Sequence, residues 1–202
     1  KLTFEAPQIA RSALPGQFVN VSVETAFLRR PFGIVEACGK TGEVTIIYRL
    51  VGTGTAAMTT LRAGDTVSVE GPLGEGTFST AAGRVLLVGG GVGLAPLICL
   101  AGRLDEKPVV LVGGKTKEET FWSEFFKDKA EKVYVTTDDG SAGIQGFAVA
   151  ALPQIFSENK IDRIAVCGPT VMMKTIAEKA QEAGISCEVS MEKRMACGIG
   201  VC

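Results

Sequence analysis

The hydrophobic pattern of the chain changes near residue 84, and the two parts predict different kinds of structure. Before that point, short runs of alternating or β-branched apolar residues are separated by Gly and Pro, the usual turn residues. Three such runs predict strands, over residues 18–23, 44–48 and 66–70. Several short strands separated by turns are typical of a small antiparallel barrel or sandwich.

After Arg84, short apolar runs alternate with stretches of helical character. The apolar runs predict five strands, over residues 85–88, 109–112, 133–136, 163–166 and 186–189. Between them the pattern predicts helices, over residues 94–104, 117–129 (after a capping box at 116–119) and 169–183. Strands that alternate with helices form a parallel sheet covered on both faces, which binds ligands at the carboxyl ends of its strands.

These patterns divide the chain into three regions. Residues 1–80 are predicted to form the barrel, residues 81–189 the α/β domain, and residues 190–202 a short third region. The uncharged stretch over residues 85–102 is long enough to cross a membrane, but its glycines and Pro96 favour a strand-to-helix turn. We therefore expect no membrane segment.

The composition argues against several classes of function. A net charge of −1 without basic runs does not suit a nucleic-acid partner, which requires clustered Lys and Arg. The chain has no histidine, the commonest general base and metal ligand, so its chemistry is expected to come from a cofactor. Its six cysteines lack the dense spacing of a secreted disulfide scaffold, which favours the cytoplasm.

A glycine cluster, Gly89-Gly90-Gly91-Val92-Gly93, follows the first predicted strand of the α/β domain. Glycines let the backbone approach a pyrophosphate closely, and the helix that follows directs N–H groups toward it. The spacing differs from the G-x-G-x-x-G fingerprint, and the second strand ends in Gly113-Gly114 instead of an acidic residue. The alternative is a tight turn that binds no ligand.

Two segments of the N-terminal region also suit a phosphate-containing ligand. Arg30-Pro31-Phe32-Gly33-Ile34, expected between strands, combines a guanidinium for phosphate with an aromatic ring. Residues 48–55 are predicted as a strand that runs into a Gly/Thr turn, whose amides and hydroxyls suit phosphate oxygens. Taken singly, the first segment is also explained by a surface Arg beside a core Phe, and the second by an ordinary turn.

In their order along the chain, the segments at residues 30–34, 48–55 and 89–93 resemble the ferredoxin–NADP reductase superfamily. In that superfamily a flavin-binding barrel precedes a nucleotide-binding α/β domain. Cys167-Gly168-Pro169 is similar to a motif late in the second domain of that superfamily. Residues 137–141 and 192–202 further resemble the electron-transfer subunit of B-type dihydroorotate dehydrogenase. The resemblance covers essentially the whole chain.

The C-terminal region contains Cys197 and Cys202, a C-x₄-C pair that corresponds to the opening half of a plant-type [2Fe–2S] motif. Thiolates suit iron, and glycines let the loop wrap around a cluster. The resemblance implies that the other ligands lie beyond Cys202. Zinc, or two ordinary thiols in a loop, are the alternatives.

The resemblance also implies residues for FAD and NAD. For FAD it implies Arg30 at the pyrophosphate, and an isoalloxazine lined by Pro31, Phe32 and Gly33, with the site completed by Ile47, Tyr48, Arg49, Gly54 and Thr55. For NAD it implies Gly90, Gly91, Gly93, Asp139, Gly140, Cys167 and Gly168. Gly33 departs from the superfamily, which often has Ser or Thr there, so no side-chain hydroxyl at this position can reach flavin N5.

By this resemblance the chain carries electrons from a partner FMN subunit, which oxidises dihydroorotate in pyrimidine biosynthesis, through the cluster and FAD to NAD. Since a nicotinamide exchanges electrons in pairs and a cluster singly, FAD between them acts as a converter. The implied assembly is a heterotetramer, with no dihydroorotate chemistry on this chain. Lys115 and Lys117 leave NADP open. The alternatives are a diaphorase subunit of a ferredoxin–NADP, hydrogenase or sulfide dehydrogenase complex, and a binding module without cofactors.

Overall fold

The computed structural model describes residues 1–23, 27–191 and 195 of the 202-residue chain. Contacts between these residues define two compact units, Lys1–Thr77 and Phe78–Met191. The predicted cluster ligands Cys197 and Cys202 lie outside the described residues. Of the helices in the described ranges, none combines the length and the apolar character that a bilayer crossing requires.

The N-terminal unit contains a five-stranded antiparallel sheet with the order β1-β4-β3-β2-β5. Its elements are the strands β1 (Leu2–Glu5), β2 (Phe18–Val21), β3 (Arg30–Cys38), β4 (Glu43–Ile46) and β5 (Val69–Leu73), and the helices α1 (Pro7–Ser12) and α2 (Thr53–Ala57). A short 3₁₀-helix, Met58–Thr60, follows α2. The strand predicted over 66–70 begins later than expected, at Val69, and residues 65–68 have no regular secondary structure.

Strand β3 is nine residues long and changes partner along its length. Residues 30–33 pair with β2, and residues 34–38 pair with β4 across a register shift between Ile34 and Glu36. A bulge of this kind bends a strand, so that its two halves can pair with different neighbouring strands. The prediction that residues 30–34 lie between strands is therefore wrong, since they form the first half of β3.

The C-terminal unit contains a six-stranded parallel sheet with the order β11-β10-β6-β7-β8-β9. Its strands are β6 (Val85–Gly90), β7 (Val109–Gly114), β8 (Lys132–Thr137), β9 (Ile144–Gln145), β10 (Arg163–Cys167) and β11 (Ser186–Ser190). Its helices are α3 (Leu94–Ala101), α4 (Leu152–Glu158) and α5 (Thr170–Glu182), with 3₁₀-helices over Gly91–Gly93, Lys117–Phe126 and Ala148–Ala151. The predicted fold class, an antiparallel region followed by a parallel α/β region, is confirmed.

The central strands of this sheet are buried on both faces. On one face, Leu86 and Val88 of β6 belong to a core cluster that includes side chains of α4 and α5. On the other face lies α3, whose eight residues are all buried. A Cβ on Gly89 would lie 2.6 Å from the Leu94 side chain, so glycine allows α3 to approach β6 closely. Burial on both faces explains why these strands are continuous apolar runs.

The segment after β7 is a 3₁₀-helix and not the α-helix predicted over 117–129. The expected capping box fails because the Thr116 hydroxyl bonds to the Glu118 carboxylate instead of to a backbone N–H. Within the segment, the hydroxyls of Thr120 and Ser123 donate to carbonyls three residues earlier, at 2.7 and 2.8 Å. Such local side-chain bonds compete with the α-helical hydrogen-bond pattern.

The strand order creates a switch point between β6 and β10. From β6 the chain proceeds outward through β7, β8 and β9, and it then returns to the other side of β6 as β10 and β11. In open α/β sheets, ligands bind at such a point, in the crevice outside the carboxyl ends of the strands. The segments that follow β6 and β10 are the glycine loop and the Cys-Gly-Pro motif, so both predicted motifs lie at this crevice.

Candidate functional site

Arg30, at the start of β3, lies over the first turn of α2. A Cβ on Gly54 would be 3.2 Å from Arg30 Nε, so glycine at this position makes room for the guanidinium. The Nη1 group donates to the Leu28 carbonyl at 3.0 Å. Among the described residues no carboxylate forms an ion pair with Arg30, whereas the neighbouring Arg29 pairs with Glu70 at 3.1 Å. Arg30 therefore keeps charge and donors that suit a phosphate.

Phe32 lies on the same face of β3 as Arg30, because side chains two residues apart in a strand point the same way. Its ring packs against Tyr48, with ring centroids 5.3 Å apart and 46° between the ring planes. Both rings are half-buried, and burial raises the pKa of the Tyr48 phenol above its usual value. The site thus combines an aromatic surface with a nearby guanidinium, which suits a planar ring linked to a phosphate.

Thr55 holds together the loop that precedes α2. Its hydroxyl accepts hydrogen bonds from the N–H groups of Val51 and Gly52, at 3.0 and 3.3 Å, and donates to the Gly52 carbonyl at 3.2 Å. These bonds use the one donor and two acceptor positions of a hydroxyl. Thr55 therefore supports the site by fixing the loop that carries Gly54.

The remaining residues predicted for FAD are less enclosed. Gly33 and Ile47 are half-buried, while Pro31 and Arg49 are exposed. Gly33 pairs with Phe18 of β2, so its position is set by the sheet. The structure thus brings Arg30 together with Gly54, and Phe32 together with Tyr48, and it leaves the Arg49 side chain at the surface.

In the C-terminal unit, the glycine loop touches the Cys-Gly-Pro segment. A Cβ on Gly93 would lie 2.6 Å from the Cys167 carbonyl oxygen and 2.8 Å from Gly168 Cα, so this contact requires glycine. The Cys167 side chain is itself buried, with 3% of it exposed. Gly91 differs, because its φ is +57° and a Cβ there would meet no atom within 4 Å. Gly91 therefore marks the part of the loop that a ligand can approach.

Three glycines and a threonine form a row across the carboxyl end of the sheet. Gly90 of β6 pairs with Gly113 of β7, which pairs with Thr136 of β8. Gly168 extends the row on the other side, one residue beyond β10. Paired residues of parallel strands point to the same face, so the row continues the core face that α4 and α5 cover. Because the glycines have no side chains, this face ends in a trough.

Met172, in the first turn of α5, fills this trough. A Cβ on Gly113 or Gly90 would lie 2.8 or 2.9 Å from Met172 Cε, and a Cβ on Gly168 would lie 3.3 Å from its Sδ. At the end of the row, the Thr136 hydroxyl is buried and has no hydrogen-bond partner among the described residues. The sequence pattern singles out neither Met172 nor Thr136, because only the strand register and the start of α5 make them neighbours.

Asp139 and Gly140 belong to a separate loop after β8, two strands away from the glycine loop. The Asp139 carboxylate accepts from the N–H and the hydroxyl of Ser141, at 2.9 and 2.6 Å, and these bonds lower the pKa of Asp139. The Thr137 hydroxyl bonds to both the carbonyl and the N–H of Ala142. This loop is therefore held in shape by its own side chains.

The structure provides no metal site within the residues it covers. In residues 1–23, 27–191 and 195, no three His, Cys, Asp or Glu side chains are grouped so that they could hold a metal ion. The cysteines of these ranges form no disulfide; they are Cys38, Cys99, Cys167 and Cys187. The predicted iron–sulfur site rests on Cys197 and Cys202, outside these ranges.

No known family profile matches the chain. Curated relatives do match it over its whole length. The electron transfer subunit of dihydroorotate dehydrogenase B (NAD(+)) from Fusobacterium nucleatum is 38% identical over an alignment of 213 positions. This alignment covers 100% of this chain and 81% of that protein. The same subunit from Geobacillus thermodenitrificans is 39% identical over an alignment of 211 positions, which covers 100% of this chain and 80% of that protein. The chain belongs to this family of electron transfer subunits.

Solved structures agree with this assignment. A chain from the structure of an NADH-dependent reduced ferredoxin–NADP oxidoreductase, studied for flavin-based electron bifurcation, has a TM-score of 0.86 and 34% identity, over 99% of this subunit and 74% of that chain. An Amycolatopsis cytochrome P450 reductase shares the fold, with a TM-score of 0.70 and 21% identity, over 88% and 60%. The predicted resemblance is confirmed, and the electron transfer subunit is part of an oxidoreductase.

Proposed function

We propose that this electron transfer subunit binds FAD on its N-terminal unit and NAD(H) on its C-terminal unit, and that electrons pass between the two. The observation that carries the proposal is the half-buried Arg30, which lacks a carboxylate partner among the described residues and lies on the same strand face as Phe32. A guanidinium beside an aromatic pair matches a flavin dinucleotide, which joins a planar ring to a pyrophosphate.

Each residue of the proposed FAD site then has a defined role. Arg30 holds the pyrophosphate, with Gly54 leaving the space that its side chain needs. Phe32 and Tyr48 provide an apolar surface that shields the flavin ring from water. Thr55 keeps the loop before α2 in shape through its hydrogen bonds to Val51 and Gly52.

For NAD(H) we propose the crevice at the switch point, where the glycine loop meets the Cys-Gly-Pro segment. Gly91 offers an open backbone to the pyrophosphate, and the first turn of α5 offers a helix N-terminus beside it. Asp139 and Gly140 are proposed further along the dinucleotide. The family name, which specifies NAD(+), supports NAD over NADP.

We further propose that Cys197 and Cys202 supply two ligands of a [2Fe–2S] cluster. When bound, FAD can exchange electrons in pairs with a nicotinamide and singly with such a cluster. The relatives' name supports a partner catalytic subunit, for which we propose an FMN subunit that oxidises dihydroorotate, in a cytoplasmic heterotetramer of pyrimidine biosynthesis.

A second candidate is the reductase subunit of a ferredoxin–NADP complex. The similarity to a chain of an NADH-dependent reduced ferredoxin–NADP oxidoreductase, at 34% identity, favours it. The two candidates share the FAD and NAD(H) sites and differ in the partner. Copurification from the native cell separates them, because the first predicts an FMN subunit active on dihydroorotate and the second predicts ferredoxin-linked activity.

The proposal is tested by the colour of the protein and its response to NADH. The full-length protein, produced with ample riboflavin and iron, is expected to show flavin absorbance that anaerobic NADH bleaches faster than NADPH does. A colourless protein that also fails to bind added FAD would contradict the proposal.

A further inference from the structure

We propose that Thr136 and Met172 form a covered subsite for the nicotinamide dinucleotide. Met172 lies in the trough and moves aside when the dinucleotide binds, and the Thr136 hydroxyl then forms a hydrogen bond with the ligand. This proposal rests on the proposed function, because it takes NAD(H) as the ligand of the crevice. It adds a binding residue, Thr136, and a positioning residue, Met172.

Thr136 is 0% exposed, and its hydroxyl has no hydrogen-bond partner in the described part of the chain. Other buried threonines have partners: Thr120 donates to a carbonyl at 2.7 Å, and the adjacent Thr137 bonds to Ala142 at 2.8 and 3.0 Å. A buried polar group without a partner destabilises the fold and is rare, so it calls for an explanation. A ligand that supplies the partner is such an explanation.

The location of Thr136 indicates which ligand could supply that partner. Its hydroxyl lies at the end of the row of glycines that begins at the switch point. A Cβ on Gly113 would be 3.6 Å from Thr136 Oγ1 and 2.8 Å from Met172 Cε, so both groups border the same space. A dinucleotide that extends from the open backbone at Gly91 along the carboxyl ends of β6, β7 and β8 would pass over this space.

Met172 is suited to leave the trough. Its side chain is unbranched and flexible, it is only partly buried, and its neighbour Val171 in the first turn of α5 is 75% exposed. In the trough it lies against glycine positions, which offer no side chains to interlock with it. The next residue, Met173, is 6% exposed and belongs to the core cluster. Met172 packs against the edge of this cluster without belonging to it, so its movement disturbs the core less than a movement of Met173 would.

The hydrogen bond is tested with Thr136→Val, which keeps the shape and removes the hydroxyl, and with Thr136→Ser as the matched control. In FAD-loaded full-length protein, calorimetry with NAD⁺ should show the dissociation constant raised about two- to tenfold for Thr136→Val, the effect of one neutral hydrogen bond. Thr136→Ser should bind like wild type. The unfolding temperature of Thr136→Val should be unchanged or higher, because an unpartnered buried hydroxyl is lost. Wild-type affinity in Thr136→Val, or a lowered unfolding temperature, would overturn the role of Thr136.

The movement of Met172 is tested by mild peroxide oxidation of the same protein, followed by peptide mass spectrometry. NAD⁺ should make sulfoxide formation at Met172 faster, because the side chain leaves the trough. Buried Met173 should remain slow, and Met191, which is 60% exposed, should react at a similar rate with and without NAD⁺. Slower oxidation of Met172 in the presence of NAD⁺ would show that the ligand covers the side chain in place, and would overturn its role.

These measurements separate the failure of this proposal from that of the proposed function. If wild-type protein binds NAD⁺ and is bleached by NADH while the variants and the oxidation rates show no effect, only the subsite at Thr136 and Met172 is wrong. If wild-type protein neither binds NAD⁺ nor responds to NADH, the proposed function itself is wrong.

Discussion

At the scale of single residues, two adjacent arginines have different partners. Arg29 pairs with Glu70 and donates to the Ser68 carbonyl at 2.9 Å, so it links two segments of the N-terminal unit. Arg30 donates to the Leu28 carbonyl and has no carboxylate partner among the described residues. A half-buried charge is more stable when an opposite charge lies nearby, which a pyrophosphate would supply.

We therefore expect Arg30→Ala to weaken FAD binding by about 1.5–3 kcal/mol, the range for a hydrogen bond to a charged group. Titration of the apoprotein with FAD, followed by flavin fluorescence, measures this change. Arg29→Ala is the control, which should keep its FAD affinity and lose about 0.2–1 kcal/mol of unfolding free energy, as for an exposed ion pair. An unchanged FAD affinity in Arg30→Ala would remove this residue from the site.

Some neighbouring residues could be proposed from the sequence and others could not. Arg30 and Phe32 are close in sequence, so a local motif was enough to propose both for one site, although the strand face that they share was missed. Thr136 and Met172 meet only because β8 pairs with β7 in one register and α5 begins beyond β10. Such a contact depends on the whole sheet, so no local pattern indicates it.

At the scale of elements, contact between the glycine loop and the end of β10 shapes the crevice that is proposed for NAD(H). Gly93 touches the carbonyl end of β10, where an added methyl group would come within 2.6 Å of the Cys167 oxygen. Since this contact involves backbone on both sides, a side-chain rotation cannot relieve it. The close approach of the glycine loop to the end of β10 therefore depends on glycine at this position.

Gly93→Ala should lower the unfolding free energy by about 1–3 kcal/mol, the usual effect of overpacking. Denaturant unfolding of the purified variant measures the loss. Gly76→Ala is the matched control, because a Cβ there would meet no atom within 4 Å, and its effect should stay within about 0.5 kcal/mol. If Gly93→Ala proves as stable as Gly76→Ala, the loop contact is not a constraint on the crevice.

Elements with both faces buried were the easiest to predict. The central strands β6, β7 and β10 are apolar along most of their length. The structure contains each of the five predicted strands of this sheet within a residue or two of its expected bounds. β3 was missed because Pro31 and Gly33 suggest a turn, although this half of the strand pairs fully with β2. The short elements β1, α1, α2, α4 and β9 were also missed, since they span too few residues for a clear period. The prediction of a strand that runs into a turn over residues 48–55 is wrong, because β4 ends at Ile46 and α2 begins at Thr53.

At the scale of the whole molecule, the order of the motifs was more informative than any one motif. Each N-terminal segment taken singly has an ordinary structural explanation, but their combination with the glycine loop and Cys167-Gly168-Pro169 indicated the family that the curated relatives confirm. The trough at the switch point could not be predicted, because it exists only where glycines from three parts of the chain meet.

The central claim is the proposed exchange of electrons, in pairs between FAD and NAD(H) and singly between FAD and a [2Fe–2S] cluster. The most direct test is an anaerobic titration of the full-length protein with NADH, in which flavin absorbance is followed together with the electron paramagnetic resonance of a reduced [2Fe–2S] cluster. We predict loss of flavin absorbance in step with added NADH and a growing cluster signal. Flavin absorbance that NADH leaves unchanged in a protein loaded with FAD would contradict the account.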